Sequence, residues 1–530
     1  MKKLRVLDCT LRDGGCVNDF NFGIADMISI KHGLEDSGVD IIECGYIDER
    51  NGSPEGRSQF DNEVSIQRQL LDHKRPNTLY VAMIDYGKFD CSCLQRRSDS
   101  SIDGIRIAFH KKDRFAVIPM CKTVLEKGYE LFIQPMAILR YNDSEILELI
   151  NLFNQELPEA EAFYIVDSFG EMRLDDFRRV LSLIDHNLEA NIAIGFHSHN
   201  NLQLSYANAI QLIDYHSARH RIIDASVMGM GKGAGNLNTE LLLEHLNNST
   251  GITYDIHPLL DLIDKVINQI YSKYKWGYAV EYYLSAMNGC TPSYAKYFYE
   301  KHLMSVEQIS KLLGTLSEEK KVSFDKEYAD EAYFAYNNKS ISDSKQFELL
   351  CRQIGSKKVI LIAPGHSIIG YKEVISDMLD DPSFFSIMLN MVDGFEVDYV
   401  FSNKTWILSK AVEHGRSIIM LSNMGAGTER DIVLDYAKWI NNSELKIESS
   451  FQIIMNILHH VGVKDIYLAG FDGFDPDIDK NYYRDELKRS LSRTQIADMN
   501  DKTRQIIQYY SSSVAFHFIT PSQYRGMVHG

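Results

Sequence analysis

Over about the first 240 residues, eight short apolar runs alternate with longer stretches of helical period, and this alternation constrains the fold more than any other feature. The runs are RVLDCTL, VDIIECGY, TLYVAMIDY, GIRIAF, ELFIQPMAIL, AFYIVDS, NIAIGFHSH and DASVMGMG. Between most of them lie amphipathic segments such as Ile24–Ser37 and Asp175–Leu188. Near-continuous apolar strands joined by helical crossovers predict a parallel sheet covered on both sides. Eight βα units favour a closed (β/α)8 barrel, with an open sheet as the alternative.

The rest of the 530-residue chain divides by pattern. Residues 1–257 read as the barrel. Residues 258–336, which include KYKWGYAVEYYLSAMNG, read as a helical appendage closing it. Residues 337–354 begin with the polar NNKSISDSKQ and read as a linker. Residues 355–530 carry five strand-like runs, KKVILIAPG, VDYVFSN, SIIMLSN, DIYLAGFDG and VAFHFITP, and predict a Rossmann-like α/β domain.

Lys and Arg number 56 against 73 Asp and Glu, a formal charge of −17. This acidic balance argues against a nucleic-acid or membrane-surface binder, both of which need a cationic face. No apolar run reaches the roughly 18–20 residues of a membrane span. Asp8, Arg12 and Asp13 interrupt what would be the apolar part of a leader peptide. The eight Cys are scattered, Cys91 and Cys93 being the one close pair, which predicts reduced thiols and a cytoplasmic location.

In parallel barrels chemistry sits at the carboxyl ends of the strands. Strand one ends in Arg12-Asp13-Gly14-Gly15, strand two carries Glu43, strand six ends in Asp167-Ser168, and strand seven ends in His197-Ser198-His199. Side chains alternate along a strand, so an HxH pair puts both imidazoles on one face. Two His from one strand and an Asp from another make a first coordination sphere for a divalent cation, with positions left for substrate oxygens. The competing reading makes both histidines barrel-filling or surface residues. After strand eight, MGMGKGAGN has four glycines, which permit positive φ and suit anion binding or a connector; Asn236 offers a further metal oxygen.

LDCTLRDGG, IIECGY, VDSFGE, FHSHNN and MGMGKGAGNLNTE together resemble the DRE-TIM metallolyases, which include hydroxymethylglutaryl-CoA lyase, isopropylmalate synthase and 4-hydroxy-2-oxovalerate aldolase. The resemblance spans about 300 residues and implies a signature of Asp13, Arg12 and Glu43. It implies metal ligands Asp13, His197, His199 and Asn236, holding Mn2+ or Mg2+. It further implies an aldolase or lyase acting through the enolate of a pyruvate-type 2-oxo acid, with Arg12 on the developing oxyanion and Ser168 on the substrate carboxylate. Self-association is also expected of this superfamily.

RDGGC replaces the RDGEQ usual in the acyl-CoA condensing branch, which favours the aldolase side. Those aldolases carry a His, thought to be the base, where this chain has Cys16. Cys16 is then a replaced base, an altered substrate contact or packing. Tyr46, His110 and a metal-bound water are other base candidates. Tyr282, in the aromatic run Trp276–Tyr283, is a candidate substrate contact, although most of that run reads as packing.

The last domain resembles, more loosely, bacterial sialyltransferase-like nucleotide-sugar domains. The resemblance puts Gly365, Ser367, Asn403 and Asp472 against a nucleotide-sugar, without a counterpart of the late catalytic His. The pairing implies an aldehyde or sugar substrate in surface-polysaccharide or activated-sugar metabolism. Alternatives are a Claisen-type acyl-CoA condensing enzyme, and a glycosyltransferase with the barrel as accessory.

Overall fold

The runs that alternate in sequence become eight parallel strands: β1 (Leu4–Asp8), β2 (Ile41–Ile47), β3 (Leu79–Asp85), β4 (Gly104–Phe109), β5 (Glu130–Pro135), β6 (Ala162–Asp167), β7 (Ala193–Ser198) and β8 (Arg221–Ala225). The structure is a computed structural model describing residues 3–527 except 51, 53, 302, 339, 426, 442–444, 446, 485–486 and 488–492. β1 pairs with β2 on one edge (Leu7 opposite Ile41) and with β8 on the other (Leu4 opposite Arg221), so the sheet closes into the expected barrel. A two-residue strand, Gln59–Phe60, lies against the outer part of β2.

Period-two alternation separates two environments. Outward residues pack under the helices, as Val6, Ile42 and Ile105 do. Inward residues Leu7, Ile41, Val81, Phe132, Ala162, Ala193 and Ile222 fill the barrel with an apolar layer. Two positions further along their strands stand Glu43, Tyr164 and Asp224, and on β4 Arg106 stands two past Gly104, so the next layer is polar and charged. Gly195 makes room within that layer, since a Cβ there would come 2.3 Å from the Tyr164 ring.

The chain divides into two units, one of Met1–Tyr297 with Leu313–Asp325, the other of Phe298–Leu312 with Lys326–Gly530. The helical stretch expected as a single appendage is thus shared between them. Residues 344–354, read as the end of a linker, form the helix Ser344–Ile354, which buries Leu350 and Ile354. Phe347, Leu350, Cys351 and Ile354 have helical spacing, and that apolar face overrides the polar residues before it.

The second unit holds seven parallel strands: β9 (Lys358–Ile362), β10 (Phe384–Leu389), β11 (Tyr399–Phe401), β12 (Ile418–Leu421), β13 (Ile432–Leu434), β14 (Asp465–Ala469) and β15 (Ala515–Phe518). Their order is β13-β12-β11-β10-β9-β14-β15. β10 and β13 were not among the expected runs, because apolar stretches this short are not separable from helix by period. Val359 and Leu361 enter one core and Ile360 and Ile362 another, so both faces of the sheet are covered. From β9 the order runs one way and from β14 the other, which makes their junction a topological switch point.

Candidate metal centre and cavity

The carboxyl ends of the barrel strands surround a cavity of about 540 Å3. Asp13 follows β1, His197 lies on β7, and His199 comes just after it. Barrel closure leaves only β8 between these elements. One ligand atom from each lies within 4.8 Å of the others, and all three side chains are buried. The imidazole rings stand edge to face with centroids 5.4 Å apart.

Two of the three, His197 and Asp13, are oriented by a hydrogen-bonding neighbour. His197 Nδ1 faces Asp224 Oδ2 at 3.0 Å, which leaves Nε2 for a ligand. Asn236 Nδ2 donates to Asp13 Oδ2 at 2.7 Å, while its Oδ1 is buried without a hydrogen-bond partner. His199 Nδ1 is likewise buried and unpartnered, 3.8 Å from Asp13 Oδ2. Burial, partly offset by Asp13, lowers the His199 imidazole to about 4, so it is neutral at pH 7. Burial opposes ionisation of Asp13, but His199 and Arg12 outweigh it and hold the carboxyl well below the usual range. A carboxylate, the neutral imidazole of His199, the free Nε2 of His197 and orphaned donor atoms are what a divalent cation requires, so the residues fit the group.

Arg12 donates through Nε to Glu43 Oε2 at 2.8 Å and through Nη1 to Asp13 Oδ1 at 2.7 Å. Its Nη2 is buried without a partner, and the residue lines the cavity. The guanidinium is therefore both ion-paired and available to a ligand.

Sequence reasoning missed the residues behind this layer. Arg106, fully buried, pairs with Glu43 Oε2 at 2.8 Å and also with Asp224. The Tyr164 ring covers it, 4.8 Å from the guanidinium carbon. A continuous path runs Asp13–Arg12–Glu43–Arg106–Asp224–His197. Three carboxylates and two guanidinium groups leave one net negative charge, which a cation would offset. A signal was present, because Arg in GIRIAF and Asp in RIIDAS are charges within buried strands, tolerable only when paired.

The glycine loop after β8 is packed on the metal residues rather than free. A Cβ on Gly231 would meet Asn236 Nδ2 at 2.4 Å and Asp13 Oδ2 at 2.5 Å. The Lys232 N–H donates to Asp13 Oδ2 at 3.3 Å.

Ser168 lines the cavity, and its Oγ accepts the Ala137 N–H at 2.8 Å, which leaves its own proton to donate. Neighbouring Asp167 accepts N–H bonds from Glu171 and Met172, yet burial pushes it up to about 7. Cys16 also lines the cavity. Its surface is open, but crowding by the surrounding protein and Asp13 push the thiol up to about 12. Burial and Asp85 push the Tyr46 hydroxyl far above its usual value, while burial lowers His110 despite Asp85 nearby. Tyr282, on the helix Val280–Met287, is not among the lining residues; Thr291, Ser293 and 322–324 contribute instead.

In the second unit a pocket of about 240 Å3 lies at the β9/β14 switch point, lined in part by Gly365, Asn390, Lys404, Phe451, Asp472 and Lys502. Gly365 and Asp472 thus come together as expected. Asp472 accepts from the Ser367 N–H at 2.7 Å and from its hydroxyl, so Ser367 faces Asp472. Asn403 is buried beside the pocket; its N–H donates to Ser450 Oγ at 3.2 Å, and its Nδ2 has no hydrogen-bond partner.

Residues 106–266 match the HMGL-like family. The chain is 28% identical over 273 residues to the 4-hydroxy-2-oxovalerate aldolase of Carboxydothermus hydrogenoformans, covering 50% of this chain and 77% of that one. It is 29% identical to the enzyme of the same name from Geobacillus genomosp. 3, with the same coverage. Among solved structures, hydroxymethylglutaryl-CoA lyase from Pseudomonas aeruginosa aligns with a TM-score of 0.41 and 18% identity, over 50% of this chain and 92% of that one.

Proposed function

We propose that this protein is a divalent-metal-dependent carbon–carbon lyase of the aldolase type, working through the enolate of a pyruvate-type 2-oxo acid. The observation that carries the reading is one of convergence. His199 Nδ1, Asn236 Oδ1 and Arg12 Nη2, three buried atoms without partners, gather about the Asp13 carboxylate. Similarity to named aldolases supports it.

Asp13, His197 and His199 would hold the cation, with Asn236 Oδ1 as a further donor, and imidazole ligation suits Mn2+ better than Mg2+. When bound, the cation supplies Lewis acidity toward the 2-oxo group. Arg12 Nη2 donates to the oxygen that gains negative charge, and Glu43 and Asp13 hold the guanidinium for that task. The Ser168 hydroxyl donates to the substrate carboxylate. Cys16 contacts substrate as a neutral thiol. Among the side-chain candidates, proton removal from the methyl carbon falls to His110, since the Cys16 and Tyr46 protons are both held tightly. In the addition direction the methyl carbon loses that proton and bonds to an aldehyde carbon, whose oxygen takes up a proton. Cleavage reverses each event.

The test is Mn2+-dependent exchange of pyruvate methyl protons in deuterated water, for wild type and Asp13→Asn. Exchange in the wild type alone is expected; none in the wild type, at high pyruvate, overturns the reading.

For the second unit the proposed ligand is a nucleotide-sugar, which would place the protein in surface-polysaccharide or activated-sugar metabolism. Support comes from the pocket at the switch point, where open parallel sheets bind ligands. Asp472 is engaged with Ser367, so in this reading it shapes the turn while Lys404 and Lys502 face the phosphates. Thermal shifts of the full chain with a panel of nucleotides and nucleotide-sugars check this.

A further inference from the structure

The cavity is far larger than a pyruvate-class ligand requires, and its volume falls in the range of pockets that enclose much larger molecules. In the closed sheet the metal residues occupy the arc β7–β8–β1. The arc β3–β5 faces them from across the barrel, and its lining differs in kind. Gln134 on β5 is 2% exposed, and its Nε2 has no hydrogen-bond partner although the residue borders the cavity. A buried donor left that way is destabilising unless a ligand satisfies it. Asp85, at the end of β3, also lines the cavity.

Charge adds a second observation. Lys88, on the loop after β3, lines the same wall and has no ion pair among the described residues. Arg50, which follows β2, also lines the cavity, and Asp48, another lining residue, holds it by two bonds, Nε to Oδ1 at 2.8 Å and Nη2 to Oδ2 at 2.6 Å. The clamp fixes the orientation of a guanidinium that is otherwise exposed and leaves its Nη1 outside those two bonds. An acetaldehyde-sized partner would use none of these groups.

Building on the aldolase reading, we propose that the second substrate is a hydroxylated aldehyde with an anionic end, its hydroxyls bound by Gln134 and Asp85 and its anion by Lys88 and Arg50. The anion is a phosphate or a carboxylate, and both are oxygen acceptors of the same cationic pair.

The experiment uses the Mn2+-loaded full chain with pyruvate and four aldehydes: acetaldehyde, D-glyceraldehyde, D-glyceraldehyde 3-phosphate and tartronate semialdehyde. Formation of the aldol product is followed, with pyruvate proton exchange measured alongside. We expect kcat/KM for one of the anionic aldehydes to exceed that for acetaldehyde by about 100-fold. The better of the two identifies the anion. Lys88→Met should lower kcat/KM for that aldehyde about tenfold more than for neutral D-glyceraldehyde, through KM, and Lys88→Arg should restore most of it. Exchange without preference among the aldehydes, or a preference that Lys88→Met leaves intact, overturns this proposal and spares the aldolase reading. Absence of exchange overturns both.

Discussion

His197 Nδ1 and Asp224 Oδ2 stand 3.0 Å apart, and the same carboxylate oxygen pairs with Arg106. Asp224 therefore does two things at once. It fixes the tautomer and direction of one metal-site imidazole, and it balances a guanidinium with no access to water. Asp224→Asn should weaken Mn2+ binding about 10–100-fold. It should also destabilise the fold by roughly 3–5 kcal/mol, because Arg106 loses one of its two buried counter-charges. Mn2+ titration calorimetry and denaturant melts separate the two effects, and a variant with unchanged metal affinity would remove Asp224 from the site's architecture.

His199 makes the metal-free protein sensitive to acid. Its folded value, about 4, lies below the roughly 6.5 of an unfolded histidine, so between those values the unfolded chain binds more protons. Stability should be fully present above about pH 6.5 and decline as pH falls toward 4, by up to about 3 kcal/mol. Asp13, held low in the fold, adds a loss of the same sign at still lower pH. Urea melts from pH 4.5 to 7.5 should show this slope, and His199→Gln should flatten it.

Cys16 stays protonated at neutral pH, so a thiolate base is not expected. Cys16→Ser should keep pyruvate proton exchange within about threefold of wild type, whereas His110→Ala should reduce it about 100-fold or more. The opposite ranking, measured by NMR under the same Mn2+ loading, would reassign the base.

Gly231 lets the loop after β8 lie directly against Asn236 and Asp13. Gly231→Ala inserts a methyl group where 2.4–2.5 Å is available, so both side chains must shift. Mn2+ affinity should fall about tenfold or more while the far-ultraviolet circular dichroism stays native, since the clash lies at a strand-end loop. An unchanged titration would show that the loop can withdraw without disturbing the ligands.

What was legible in the chain was local. Alternation marked the barrel strands, and the ends of strands one and seven marked Asp13, His197 and His199, because a strand's period tells which side chains share a face. Arg106, Asp224 and Gln134 passed unnoticed, although each is a polar residue within an apolar run. Tyr282 illustrates the converse: an aromatic side chain near the right part of the chain lies outside the cavity lining, and the less conspicuous Thr291 and Ser293 line it instead. Helical spacing in 344–354 was outweighed by the polar tract before it, and β10 and β13 are too short for period to mark them.

By itself the sequence determined the parallel α/β character of both sheets and pointed to Asp13, His197 and His199, the three residues the fold gathers as a candidate metal site, since those depend on period and on the ends of elements. Only the tertiary structure decided that Arg106 bridges Glu43 and Asp224, that Arg12 keeps one nitrogen for a ligand, and that Gln134, Asp85 and Lys88 border the same cavity as Asp13 and the two histidines. Closing a ring of strands brings together residues more than a hundred positions apart, and no local spacing records which of them will meet.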